Sequence, residues 1–291
     1  MWIFIYDVSA VFKRFLLTFT SLKSIGYMKR IMYLFLLLLL VQCSSTNTGQ
    51  TASGNSNSEY YELRVYHLAA NEQVASVENF LKNAWVPALH RSGIARVGVF
   101  KPLANDTAAV KRIYVLTPYT SLQQFGRTVQ QLQNDATLET AGAAYLNAAH
   151  DAPVYTRFET ILLQAFKNMP VSEVPRLTSP KKDRVYELRS YEGHTEKIYR
   201  NKVHMFNEGG EVALFKRLNF NAVFYGDVIA GSRMPNLMYM TSFENMADRD
   251  AHWKTFVEDP EWKVLSSRSD YQNNVSKIDI NLLTATDYSD F

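Results

Sequence analysis

Two stretches of this chain carry a carboxylate, a guanidinium and a phenol at every second position. They are Glu62, Arg64, Tyr66 and Glu187, Arg189, Tyr191. The Glu and Arg of each set lie in a Tyr-Glu-Leu-Arg tetrad, with the Tyr two residues beyond it, and the tetrads recur 125 residues apart, from Tyr61 to Tyr186. Alternate residues of a strand share a face, so each trio would stand on one side of a sheet. There an arginine could hold an anionic group and a tyrosine could donate a hydrogen bond. A buried carboxylate and guanidinium are costly unless paired, so Glu62 is expected to meet Arg64, and Glu187 to meet Arg189. Two readings of this polar floor are open. One is a ligand-binding cleft. The other is an ion-pair network that sets how two halves of the molecule register, and it explains more simply why the motif occurs twice.

Other catalytic chemistry finds little support in the residues. The six histidines are His67, His90, His150, His194, His204 and His252, and none forms a His-x-x-x-His pair or sits with cysteine. Metal ligation is therefore unsupported. His204 and His252 read as residues at the edge of a core. Neither a nucleophile elbow, a phosphate-cradling glycine loop nor a dinucleotide fingerprint occurs. The acidic pair Glu258-Asp259 precedes Pro260 and reads as a helix stop and restart. No cofactor is expected.

The elements that must position the trios follow from periodicity. In the first half the pattern predicts a strand over 59–67, a helix over 72–91 and strands over 94–101 and 112–117. A helix over 121–133, an alanine-rich helix over 137–149 and a strand over 155–165 follow. In the second half it predicts a strand over 184–191 and helices over 195–207 and 212–218. Strands over 220–230 and 236–243, helices over 246–258 and 260–267, and a strand over 275–284 complete it. The proline-rich stretch 167–183 reads as a linker. Each half reads β-α-β-β-α-β, a ferredoxin-like order, and the domains are expected at 59–166 and 184–291. Helices cover one sheet face, and the other half covers the second. The expected fold class is α+β, with two such domains joined sheet to sheet as an intramolecular α+β barrel. The purely apolar set of the recurring strand (Tyr61, Leu63, Val65 and Tyr186, Leu188) suits the helices. The Glu-Arg-Tyr set would then point between the sheets.

The N-terminus speaks of location. Met28-Lys29-Arg30 precedes the apolar run 31–41, and Gln42-Cys43-Ser44 follows. A basic segment, a short apolar core and an abrupt polar switch describe a secretory leader over 1–42, with Met28 the expected start. The apolar run is too short to span a membrane, which takes about 20 residues. The segment resembles a bacterial lipoprotein signal, which would put lipid on Cys43, although Gln42 stands where a small residue is usual. Residues 43–58, rich in Ser, Thr, Asn and Gly, read as a flexible tether. The expected location is the cell envelope, lipid-anchored at the outer membrane and facing the periplasm. Losing the leader removes five bases and one acid, so the net charge of +3 becomes −1. A nearly neutral chain offers no electrostatic case for nucleic acid.

One family resemblance is specific. The segments 185–191, 243–249 (Phe-Glu-Asn-Met-Ala-Asp-Arg) and 259–262 (Asp-Pro-Glu-Trp) resemble the NIPSNAP family in order and separation. The first half looks like a diverged copy, with Asn134-Asp135-Ala136-Thr137 in place of Glu258-Asp259-Pro260-Glu261. The resemblance implies a ferredoxin-like fold of the dimeric α+β barrel type and little chemistry. Trp253 and Trp262 are expected to be helix-packing anchors. Two functions follow as expectations. The first is an envelope protein that binds a small ligand or a protein partner. The second is a barrel enzyme, monooxygenase- or isomerase-like, acting on a small aromatic or haem-like substrate.

Overall fold

Alternating apolar residues of high β propensity build eight strands: β1 (Tyr60–Leu68), β2 (Gly98–Pro102), β3 (Lys111–Tyr119), β4 (Arg157–Ala165), β5 (Val185–Glu192), β6 (Phe224–Ala230), β7 (Asn236–Phe243) and β8 (Lys277–Ala285). The computed structural model describes residues 58–291. The expected leader, Cys43 and the tether short of Ser58 lie outside the described residues. The strands close a barrel in the order β1-β3-β2-β8-β5-β7-β6-β4. All pairings are antiparallel. Each half contributes four neighbouring strands in one order, β4-β1-β3-β2 and β8-β5-β7-β6, and the seams are β2–β8 and β4–β6. The α+β barrel expected from the sequence is the fold.

The helices lie outside. The first half has α1 (Asn71–Phe80), continued by a π-helical turn (Leu81–Trp85) into α2 (Val86–Arg91). It also has α3 (Leu122–Gln133), α4 (Ala136–Ala141) and α5 (Ala143–Leu146). The second half has α6 (Glu196–Asn207), α7 (Glu211–Arg217), α8 (Met246–Glu258) and α9 (Pro260–Ser267). Side-chain caps fix several starts: Ser121, Asp135, Thr195, Asn245 and Asp259 each accept from a backbone N–H of the first turn. Two expected boundaries move for a local reason. The strand expected from 220 begins at Phe224, because Asn219 and Asn221 take positive φ and bend the chain. The strand expected from 94 begins at Gly98, after a left-handed Gly93 ends the helix.

The closed barrel overturns one expectation, the direction of the trios. Tyr61, Leu63, Val65, Tyr186 and Leu188 point into the barrel and pack with Phe100, Phe224, Met240 and Phe291. Glu62, Arg64, Tyr66, Glu187, Arg189 and Tyr191 sit at the intervening positions and face the helices. Tyr66 packs with Val77 and Phe80 of α1, and Tyr191 with Phe206 of α6. The reason is the supply of partners. The middle of a small barrel is filled by inward side chains of the strands alone, here Leu, Val, Phe and Met, which offer a charge nothing. The helix layer can bring donors to it.

Candidate functional site

The second-half trio of β5 is held by α8 and β7. Glu187 of β5 is fully buried. Its Oε1 accepts from Arg189 Nε at 2.6 Å and from Arg249 Nη2 at 3.2 Å, and its Oε2 accepts from Arg249 Nε at 2.8 Å and from Trp253 Nε1 at 2.8 Å. Arg249 and Trp253 are four residues apart on α8, so they share a helix face, and the cap at Asn245 aims that face at β5. Burial alone would raise the Glu187 carboxyl. The Arg249 hydrogen bond, the Arg189 charge and the indole N–H outweigh it and hold the group below its usual range. Arg189 sits over the Trp253 ring, 3.6 Å from Cζ to the centroid, and its Nη1 donates to Tyr191 Oη at 3.0 Å. Tyr191 Oη and Tyr239 Oη share a hydrogen bond of 2.9 Å.

A cleft of about 430 Å³ opens beside this network, between the barrel and the helices. Arg189, Tyr191, Lys202, Arg249, Trp253 and Trp262 line it. Lys202 of α6 and Glu211 of α7 are both buried and pair at 2.8 Å. The three cations Arg189, Lys202 and Arg249 thus face two buried carboxylates, Glu187 and Glu211. An exposed carboxylate, Asp250, also touches Arg249 from outside. Each ionisable side chain that lines the cleft already has a partner.

The first half holds the matching trio differently. Arg64 donates to Glu62 Oε1 from Nη2 at 3.0 Å and from Nε at 3.3 Å. The remaining donors to Glu62 are Tyr119 Oη at 3.1 Å and Thr160 Oγ1 at 3.4 Å. Four and eight residues beyond the helix caps, where α8 has Arg249 and Trp253, α3 has Phe125 and Val129. The aromatic partner of Arg64 comes from elsewhere: Trp85 of the π-helical turn at 4.5 Å and Phe158 of β4 at 5.0 Å. Beside Arg64 and Trp85 lies a second cleft of about 430 Å³, walled by Leu132, Asp135, Leu138 and Leu146.

The predicted residues are therefore brought together as two sets, Glu62–Arg64 under the first helix layer and Glu187–Arg189–Tyr191 under the second. Tyr66 stays close enough to Arg64 to act on its charge, although its buried hydroxyl makes no hydrogen bond of ordinary geometry among the described residues. Sequence reasoning missed the roles of Arg249, Trp253, Lys202 and Tyr239. The signal that could have found the first two is their spacing of four on a helix. Trp253 does pack, on Phe215 and Phe220, but its N–H and ring face also serve the ion pair. Trp262 packs on Phe256 at 4.4 Å. His204 bonds Tyr271 Oη at 2.9 Å, and His252 Nδ1 contacts the Asp248 carbonyl at 2.8 Å. Among the described residues no cluster of His, Cys, Asp or Glu could hold a metal ion.

Residues 186–290 match the NIPSNAP family model. The match takes in β5 from Tyr186 onward, α8 and the whole second-half network. Solved structures extend the likeness to 78% of the chain. A proposed monooxygenase from Lactobacillus acidophilus is 12% identical with a TM-score of 0.52, covering 78% of this chain and 94% of that one. A proposed monooxygenase from Fusobacterium nucleatum is 6% identical with a TM-score of 0.51, covering 78% and 92%. An uncharacterised NIPSNAP-like domain protein from Burkholderia xenovorans is 18% identical with a TM-score of 0.34, covering 37% and 90%. At these identities the likeness is one of fold. No curated protein matches the chain.

Proposed function

We propose that this protein binds a small anionic aromatic molecule in the cleft above Glu187, Arg189, Arg249 and Trp253. The observation that carries the reading is the lining itself. Arg189, Lys202 and Arg249 present their cationic heads at the cleft, countered by the buried Glu187 and Glu211 and by the exposed Asp250, and two tryptophans offer ring faces beside them. The volume, about 430 Å³, lies in the usual range for small-molecule sites. The ionisable groups of the lining are already paired with one another, an arrangement suited to holding a ligand.

The test is a thermal-shift titration of the full chain with naphthoate, benzoate and haem. A ligand at a hundred times its Kd should add about 2.7 kcal/mol of stability. Arg189→Gln and Trp253→Phe should abolish the naphthoate shift while leaving the far-UV spectrum unchanged. A shift that survives both substitutions refutes the site.

The alternative reading is a barrel enzyme acting on an aromatic substrate. It rests on the two fold neighbours described as proposed monooxygenases. Recovery of the bound aromatic acid unaltered after aerobic incubation argues for binding, and its conversion argues for the enzyme. The same proposal carries the N-terminal reading: a duplicated NIPSNAP-like chain lipidated at Cys43 and held at the envelope. Cys43→Ser is expected to move the protein from the membrane fraction to the soluble one.

A further inference from the structure

The barrel itself ends in a second, unrelated cup. Its far end is plugged by Tyr61, Phe100, Tyr186, Phe224 and Phe291, with Tyr61 and Phe224 rings 5.2 Å apart and Phe100 and Tyr186 rings 4.9 Å apart. At the other end the inward positions turn polar. Along β1 they read Tyr61, Leu63, Val65 and then His67; along β8 they read Ala285, Leu283 and then Asn281 and Asp279. The result is a cavity of about 200 Å³ over a floor of Val65, Ile161, Leu188 and Met238.

The polar wall is ordered. His67, buried, contacts Glu159 Oε1 through Nε2 at 2.6 Å, and Ser232 Oγ donates to Glu159 Oε2 at 3.1 Å. Tyr114 Oη donates to Asn281 Oδ1 at 3.1 Å, and Ser190 Oγ to Asn236 Oδ1 at 3.0 Å. Arg233 is ion-paired with Asp279. Arg112 is the exception. It lies opposite His67 in the β1–β3 register and lines the cup, yet among the described residues its guanidinium meets no carboxylate. An unpaired guanidinium over an apolar floor, at a mouth where inward polar residues replace apolar ones, is a recognition arrangement. Size narrows the ligand. Liquid water occupies about 30 Å³ per molecule, so the cup holds about seven waters. That is below the usual range for drug-sized ligands.

We infer that the barrel mouth is a binding site for a short-chain aliphatic monocarboxylate, its carboxylate on Arg112 and its chain on Val65, Ile161, Leu188 and Met238. The site is separate from the aromatic cleft. It is built from inward-facing residues of the strands, whereas the cleft lies outside the barrel under the helices.

Isothermal titration of the full chain with valerate tests the site, with valeramide as the neutral isostere. Valerate should bind, and valeramide should bind at least about tenfold more weakly, because a charge-assisted hydrogen bond is lost. Arg112→Gln should weaken valerate by a similar factor, and Arg112→Lys should restore part of it, with the circular dichroism spectrum of each variant checked for folding. Should a variant not fold, the valeramide comparison on the wild-type protein decides. Naphthoate at saturation should leave the valerate isotherm unchanged. Absence of valerate binding, equal binding of valeramide, undiminished binding by folded Arg112→Gln, or displacement by naphthoate would each overturn the site. Failure of naphthoate to bind at all bears only on the aromatic cleft.

Discussion

Two carboxylates of identical sequence context differ in what surrounds them. Glu187 receives two guanidiniums and an indole N–H, and Glu62 receives one guanidinium and two hydroxyls. Removing a buried partner leaves the opposite charges uncompensated, at about 3–5 kcal/mol. Glu187→Gln strands Arg189 and leaves Arg249 with only the exposed Asp250, and is expected at the lower end of that range, about 3 kcal/mol. Glu62→Gln strands only Arg64, which stays stacked on Trp85, and should cost roughly half as much. Urea unfolding of the two variants checks the order. The pH dependence has a definite sign. The folded state holds the Glu187 carboxyl below its ordinary value near 4.5, so its stabilisation is complete above that pH and is lost as the pH falls below it. Glu187→Gln should therefore flatten the acid limb of a stability–pH curve, and an unchanged limb would contradict the assignment. The alternation of Glu, Leu and Arg already shows which residues share a face. It does not show which face is which, because Tyr61-Leu63-Val65 would pack against helices or inside a barrel equally well. The answer lies with Arg249, Trp253 and Tyr119, whose places depend on tertiary structure.

At the scale of elements, the caps and turns decide where the helix layer sits. Asn245 caps α8 through Asp248 N–H at 3.0 Å and so sets the angle at which Arg249 and Trp253 reach β5. Asn245→Ala should cost about 1 kcal/mol of stability and weaken naphthoate binding, which thermal shift reads together. Next to that cap, Glu244 holds the segment between the halves. Its carboxylate accepts from the backbone N–H of Thr178 at 2.8 Å and of Ser179 at 2.7 Å. The Ser179 and Thr178 hydrogen bonds pull it down to about 2. Its contribution is present above the usual carboxylate range near 4.5 and fades as the pH falls through about 2. Hydrogen exchange at Thr178 and Ser179 should accelerate over that window, and Glu244→Gln should give the fast rate at neutral pH. This segment reads in sequence as a proline-rich linker. That it is fastened depends on a glutamate 65 residues away, which local composition does not reveal.

At the scale of the whole molecule, the barrel has no free edge. The seams β2–β8 and β4–β6 each join one half to the other. The C-terminal tail reinforces the first seam: Asp290 and Val97 exchange hydrogen bonds of 2.7 and 3.0 Å, and Phe291 is buried against Phe100. Phe291→Ala should cost about 3–5 kcal/mol, read as a lower denaturant midpoint of one shared transition. Residues 184–291 alone would present β6 and β8 as open edges with one apolar sheet face uncovered. Such a fragment is expected to self-associate, and a monomer by sedimentation would contradict that. The split order of strands and helices, and so the barrel, was legible from the tetrads and the periodicity around them. The closing of the seams was not, because Lys101, Thr284 and Gly226 carry no pairing signal of their own.

The first strand enters the barrel at Tyr60, beside the plug, and leaves at Leu68, beside the cup, and nine residues of strand carry it about 30 Å between the two ends. Phe291 also finishes at the plug. Both ends of the described chain therefore emerge from the same pole of the molecule. A tag or fluorophore joined directly at Ser58 or after Phe291 would sit on the blind side and leave the open pole facing solution.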